Sequence, residues 1–234
     1  IFLVGYTIYK VLKNEHSIDL NKAKFFAGHS LGEYTAIACA NGLDFSETLK
    51  ILQIRGRAMQ SAVPPGEGGM IAVLGKDIID IENMLNENKK SYDCFIANDN
   101  SAGQIVVSGK KSDVDKFSID LQKSKIKNIK LAVSAPFHCK LMNKATEIMR
   151  NELDKLNFSK LSNHIVSNVT ADIIIDTNHL KKLLTQQIES RVRWRESVLY
   201  MIKMGVKNFI EIGPGKVLSG LIKRIDKKVN VNSI

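Results

Sequence analysis

A serine between two glycines is the residue of this chain best placed to do chemistry. Gly28-His29-Ser30-Leu31-Gly32 is a G-x-S-x-G pattern, preceded by the apolar Phe25-Phe26-Ala27 and followed by the small-residue run Tyr34-Thr35-Ala36-Ile37-Ala38-Cys39-Ala40. A strand before, a helix after and glycines on both sides predict a tight turn from which Ser30 Oγ projects. The amides just past the serine sit at a helix N-terminus, where negative charge is stabilised. That geometry suits a nucleophile in acyl transfer. The same pattern also arises in turns without chemistry, so a base has to be found elsewhere in the chain.

Five histidines are candidates for that base. His29 adjoins Ser30, and successive side chains of a turn point apart, so it is not expected to reach Oγ. His16, His164 and His179 lie among polar positions and are expected at the surface. His138 differs: Ser134-Ala135-Pro136-Phe137-His138-Cys139 is a loop joining two parts of the chain, a place from which a side chain faces a cleft. Cys39, Cys94 and Cys139 are an odd number without metal-ligand spacing. They read as buried small hydrophobes in a reducing, cytoplasmic compartment, and no metal site is expected.

The elements that must position these groups alternate between helix and strand. A helix over 1–12, a strand at 25–27, the elbow helix and a long helix over 45–62 come first, with Pro64-Pro65 ending the last of them. Strands at 70–74, 94–97, 104–109 and 129–133 and helices over 78–89 and 111–123 then give the order β-α-β-β-α-β, the split ferredoxin-like arrangement. Helices over 142–156, 180–189 and 194–204, strands at 164–167 and 208–211, and a last helix after Gly213-Pro214-Gly215 complete the pattern. The expected fold is α/β: a hydrolase-like larger subdomain with a parallel sheet (1–62 and 135–234) and an inserted ferredoxin-like small subdomain (63–134). With 234 residues, 44% of them hydrophobic, the chain can build a substantial core.

Composition excludes some functions. The net charge of +10 suits an acidic partner or an anionic substrate, with clusters at Lys123, Lys125, Lys127 and Lys130, at Arg191, Arg193 and Arg195, and at Lys223, Arg224, Lys227 and Lys228. Each cluster taken singly reads as solvated surface. Aromatics make up only 6%, which argues against a stacking platform for nucleic acid. No apolar run approaches the roughly 18 residues of a membrane span. The helix at Ile1 has no basic region before it and no cleavage site after it, so it does not read as a signal peptide, and further residues are expected upstream.

Four separated blocks carry a resemblance. They are Gly28-His29-Ser30-Leu31-Gly32-Glu33-Tyr34, Gln53-Ile54-Arg55-Gly56-Arg57-Ala58-Met59-Gln60, Ala135-Pro136-Phe137-His138-Cys139-Lys140-Leu141-Met142 and Glu211-Ile212-Gly213-Pro214-Gly215-Lys216-Val217-Leu218. In type and order they resemble the malonyl-CoA:acyl carrier protein transacylase family, which also carries a ferredoxin-like module at the place seen here. The resemblance implies that Ser30 carries the malonyl group and that His138 takes and returns its proton. It implies that Arg55 pairs with the malonyl carboxylate, with Met59 of the same block at the substrate site. The main-chain carbonyl of Gln187 would orient the histidine, and the Leu31 amide would supply an oxyanion donor. Malonyl-CoA and acyl carrier protein would be the partners, with neither metal nor cofactor. The family's N-terminal strand and its glycine- and glutamine-rich loop, the source of a second oxyanion donor, would precede Ile1. Losing such a donor typically costs about 10²–10³ in rate, so low activity is expected of the chain as it stands. Competing readings are an α/β-hydrolase esterase or thioesterase, in which Arg55 and the inserted module have no task, an acyltransferase domain of a polyketide synthase, and a non-catalytic scaffold.

Overall fold

The computed structural model describes residues 1–15, 18–133 and 135–234. His16 and Ser134 lie outside the described residues. Helix α1 (Phe2–Glu15) packs on α2 (Leu31–Cys39), and the two-residue strand β1 (Phe25–Phe26) runs into the turn that starts α2. The elbow helix begins at Leu31, three residues ahead of the small-residue run, because Ser30 itself makes the turn. Helix α3 (Phe45–Ser61) is capped by Asp44, whose side chain accepts from the Glu47 N–H at 2.8 Å.

The next segment builds a separate antiparallel sheet. Strands β2 (Gly68–Leu74), β3 (Cys94–Ser101), β4 (Gln104–Lys110) and β5 (Asn128–Lys130) lie in the order β3-β4-β2-β5, with α4 (Ile78–Glu87) and α5 (Lys111–Lys123) as crossovers. This is the ferredoxin-like order. Period-two alternation divides β2 between the sheet's two faces. Ile71 and Val73 join Ile81, Phe117 and Leu121 under the helices, while Met70 and Ala72 join Ala97, Val106 and Phe137. Thus the face turned from the helices packs on the loop that carries His138. β5 is shorter than the run 129–133 suggests; past Lys130, Leu131 N–H still donates to Met70 O at 3.0 Å.

The remaining chain returns to the first layer. Helices α6 (Asn143–Lys155) and α7 (Thr177–Gln187) pack with α3 around a core that includes Tyr34, Ile37, Met142, Met149, Leu180 and Leu184. Strand β6 (His164–Ile165) pairs in parallel with β1. Helix α8 (Trp194–Lys203), β7 (Asn208–Glu211), α9 (Val217–Ile225) and β8 (Asn230–Ser233) close the chain, with β7 and β8 parallel. The sequence reading did not include β8, whose Asn230-Val231-Asn232-Ser233 is too polar to announce a strand. Between β1 and β7 lies a cleft of about 900 Å³, bordered by Phe25, Phe26, Phe209 and Ile212 and reaching His29. Among the described residues no helix is long and apolar enough to cross a membrane.

Candidate active site

The turn at the end of β1 is built around one obligatory glycine. A Cβ on Gly28 would lie 2.0 Å from the Gly32 carbonyl, whereas a Cβ on Gly32 would meet nothing within 4 Å. The expectation that both flanking glycines serve the bend therefore holds only for the first. Ser30 carries the strain itself, at φ 53° and ψ −105°, a conformation uncommon for any residue but glycine. Its N–H donates to Asn168 Oδ1 at 2.7 Å and its carbonyl accepts from Gln187 Nε2 at 3.0 Å. Leu31 heads α2, so its N–H has no acceptor within the helix.

His138 closes on the serine from the loop after the small sheet. Ser30 Oγ lies 2.8 Å from His138 Nε2, and His138 Nδ1 lies 2.8 Å from the Gln187 carbonyl oxygen. A carbonyl only accepts, so Nδ1 carries the hydrogen and Nε2 is left bare to receive the serine proton. Burial, and then the nearby Arg55 charge, push His138 down to about 3, so the imidazole is neutral at physiological pH. The other described histidines stay apart. His29 Nε2 bonds Asn100 Oδ1 at 2.8 Å and its ring packs on Trp194, as its adjacency to Ser30 requires. His164 is exposed and His179 is half-buried on α7.

Arg55 reaches the same serine from α3. It is only 6% exposed, and its Nη2 donates to Ser30 Oγ at 2.8 Å and to Gln187 Oε1 at 3.0 Å. The guanidinium lies 5.5 Å from the Tyr34 ring centroid, and its buried Nε has no acceptor among the described residues. Both acceptors are uncharged oxygens, so the guanidinium keeps its capacity for a carboxylate. Met59, one turn further along α3, is buried in the large core.

Two site residues lacked a role in the sequence reading. Glu33, fully buried, accepts from Gln187 Nε2 at 2.6 Å, and burial raises its carboxyl to about 7. Asn168 bonds Ser30 N–H through Oδ1 and donates from Nδ2 to Gly28 O at 2.8 Å. Glu33 stood in the first motif block, whereas nothing in the chain near Asn168 marks it. The cluster Arg191, Arg193 and Arg195 is not the open solvated surface expected of it. Arg191 pairs with Glu82 at 2.7 Å, Arg193 with Glu196, and Arg195 with the buried Asp99 at 3.0 Å.

A serine on a strand-to-helix elbow, hydrogen-bonded to a histidine in an α/β fold, defines the class of serine-dependent acyl-transfer and hydrolytic proteins. Residues 19–233 match the acyl transferase domain family, and the chain belongs to that family. It is 39% identical over 212 residues to the malonyl CoA-acyl carrier protein transacylase of Bacillus subtilis (strain 168), covering 90% of this chain and 67% of that protein. With the protein of the same name from Salmonella typhimurium it is 38% identical over 200 residues, covering 85% of this chain and 65% of that one. The crystal structure of the acyl-carrier-protein S-malonyltransferase from Bartonella henselae matches with a TM-score of 0.95 at 37% identity, covering 100% of this chain and 74% of that one. The chain spans about two thirds of the length of the curated relatives it matches.

Proposed function

We propose that this chain transfers a malonyl group from malonyl-CoA to the phosphopantetheine thiol of acyl carrier protein, supplying extender units for fatty-acid synthesis. The observation that carries the reading is the row Ser30 Oγ, His138 Nε2, His138 Nδ1 and Gln187 O, with Arg55 on the same serine oxygen. In the first half-reaction Ser30 Oγ attacks the thioester carbonyl while its proton passes to His138 Nε2. The Leu31 N–H, at the head of α2, serves in this reading as a donor to the oxyanion of the tetrahedral intermediate. Collapse breaks the carbon–sulfur bond, and the departing thiolate takes the proton from His138. In the second half the carrier thiol gives its proton to His138 and attacks the Ser30 ester, and the serine oxygen recovers the proton. Arg55 exchanges Ser30 Oγ and Gln187 Oε1 for the malonyl carboxylate, which its planar fork meets at two points. Met59, one turn on from Arg55 in α3, belongs to the substrate side of the site in this reading. The neutral Gln187 carbonyl fixes the imidazole tautomer without the full negative charge that would stabilise imidazolium in advance.

Residues 63–134 act in this reading as the small subdomain, set into a larger one made of 1–62 and 135–234. Its separate sheet supports that division, as does the seat of Gly68 against Pro136, where a Cβ would come within 2.1 Å of Pro136 Cδ. Three free cysteines support a cytoplasmic location. The test is intact-mass spectrometry after incubation with malonyl-CoA. One malonyl adduct is expected on Ser30 and none on Ser30→Ala, and an adduct that persists in the variant removes the assignment. Continuous coenzyme A release without an acyl acceptor would instead support a thioesterase.

A further inference from the structure

Glu33 lies in the first turn of α2, fully buried, and no step of the proposed transfer uses it. A carboxylate so placed is costly unless its oxygens are bonded. Oε2 accepts from Gln187 Nε2 at 2.6 Å, and the backbone N–H of Asn168 lies 3.4 Å from each oxygen. These two partners are the residues that hold the elbow. Gln187 Nε2 also donates to Ser30 O at 3.0 Å, and Asn168 Oδ1 accepts from Ser30 N–H at 2.7 Å. Asn168 Nδ2 reaches back to Gly28 O at 2.8 Å. Both peptide groups that flank the strained serine are therefore gripped by amide side chains, and both gripping residues are tied to one carboxylate.

Gln187 extends the arrangement outward. Its carbonyl accepts from His138 Nδ1 at 2.8 Å and its Oε1 accepts from Arg55 Nη2 at 3.0 Å. Moving Gln187 would thus shift the base, the nucleophile and the guanidinium together. We propose that Glu33 is a positioning residue for acyl transfer, holding Gln187 and Asn168 and through them the relative placement of Ser30, His138 and Arg55. The inference rests on Ser30 being the nucleophile. Above the raised pKa of about 7, the range in which the labelling is read, Glu33 is a carboxylate with acceptors on both oxygens, whereas an amide of the same shape offers one and sets N–H against N–H at the other.

Glu33→Gln is the corresponding variant, read by a probe that needs only a reactive serine. An alkyl fluorophosphonate forms a bond to Ser30 Oγ as fluoride leaves, and peptide mass mapping locates it. The labelling rate per folded molecule should fall at least about tenfold in Glu33→Gln, the scale expected when reacting groups are misplaced by a fraction of an ångström. Asn168→Ala should also slow labelling, and the double variant should be no slower than the worse single one, because both act through one device. Labelling at the wild-type rate in folded Glu33→Gln, or two effects that multiply, overturns the proposal. If Glu33→Gln does not fold, Glu33→Asp replaces it with the same expectation, since it draws the acceptors back by one methylene. Wild-type protein labelled at Ser30 by the fluorophosphonate but never by malonyl-CoA would defeat the malonyl reading and leave the role of Glu33 standing. Wild-type protein not labelled at Ser30 would defeat both.

Discussion

In the proposed transfer, Arg55 is the residue on which substrate choice would turn. Its donors face uncharged oxygens in a buried site, so a substrate carboxylate is the partner it lacks. Removing one member of a buried ion pair typically costs about 3–5 kcal/mol, which is roughly 10²–10⁴ in rate. Arg55→Ala should therefore lower kcat/KM for malonyl-CoA by that order while sparing or raising acetyl transfer. Equal falls for the two donors would make Arg55 structural. His138 gives a second expectation, read in stability against pH. Its pKa is about 3 in the fold and 6.5 without it, so the unfolded chain binds a proton that the fold refuses. Between those values each step toward acid favours unfolding, by at most about 1.4 kcal/mol per pH unit. Glu33 slopes the other way: its pKa is raised from 4.5 to about 7, so its contribution is present below 4.5 and is lost as pH rises through 7. Because the two slopes oppose each other, His138→Gln should turn the pH dependence of urea unfolding between pH 6.5 and 4 toward greater stability in acid, by at most about 1.4 kcal/mol per pH unit, and an unchanged slope would contradict the burial argument. That Ser30, Arg55 and His138 meet was legible because motif blocks carry them. Asn168 was not, since it meets Ser30 across 138 positions of sequence and only the fold brings them together.

Strand β3 ties the small sheet to the site. Val192 N–H donates to Ala97 O at 2.8 Å and Asp99 N–H donates to Val192 O at 2.9 Å, five residues past Gln187. Asn100 meets His29 at 2.8 Å, and Asp99, fully buried, takes Arg195 at 3.0 Å. The pair joins the sheet to α8, and removing Arg195 leaves a buried carboxylate alone. Arg195→Ala should lower the unfolding free energy by about 3 kcal/mol, at the low end of the buried-pair range because the guanidinium is part-exposed. Asp99→Asn/Arg195→Ala, which removes both charges, should recover much of that loss. A single-variant loss under about 1 kcal/mol in urea unfolding would class the pair with ordinary surface bridges. The order of helices and strands was readable from apolar periodicity. What escaped was pairing: β3 extends to Ser101 through polar Asn98, Asp99 and Asn100, and the side chains of the last two bond outside the sheet. A polar strand end carries no periodic signal, and for the same reason β8 was not foreseen.

On the scale of the whole molecule, charge is the property most open to test. Lys and Arg number 34 against 24 Asp and Glu, yet Arg191, Arg193 and Arg195 are occupied by Glu82, Glu196 and Asp99. The excess positive field is therefore carried largely by lysines, including the exposed Lys24 and Lys207 around the cleft between β1 and β7. A long-range field of this kind speeds the encounter with an oppositely charged protein, and it acts only over a Debye length. Raising ionic strength from about 0.1 M to 1 M shrinks that length from about 10 Å to 3 Å. For the malonylated protein, the second-order rate constant of transfer to an acidic carrier protein should fall over this range. Transfer to free pantetheine, which has the same thiol and no net charge, should hold steady, because its encounter gains nothing from the field. The comparison separates steering from any effect of salt on the chemistry, since in the proposed transfer both acceptors would attack the same Ser30 ester. If the two rate constants fall together, salt acts on the site itself; if neither falls, the +10 charge plays no part in bringing the carrier to the enzyme.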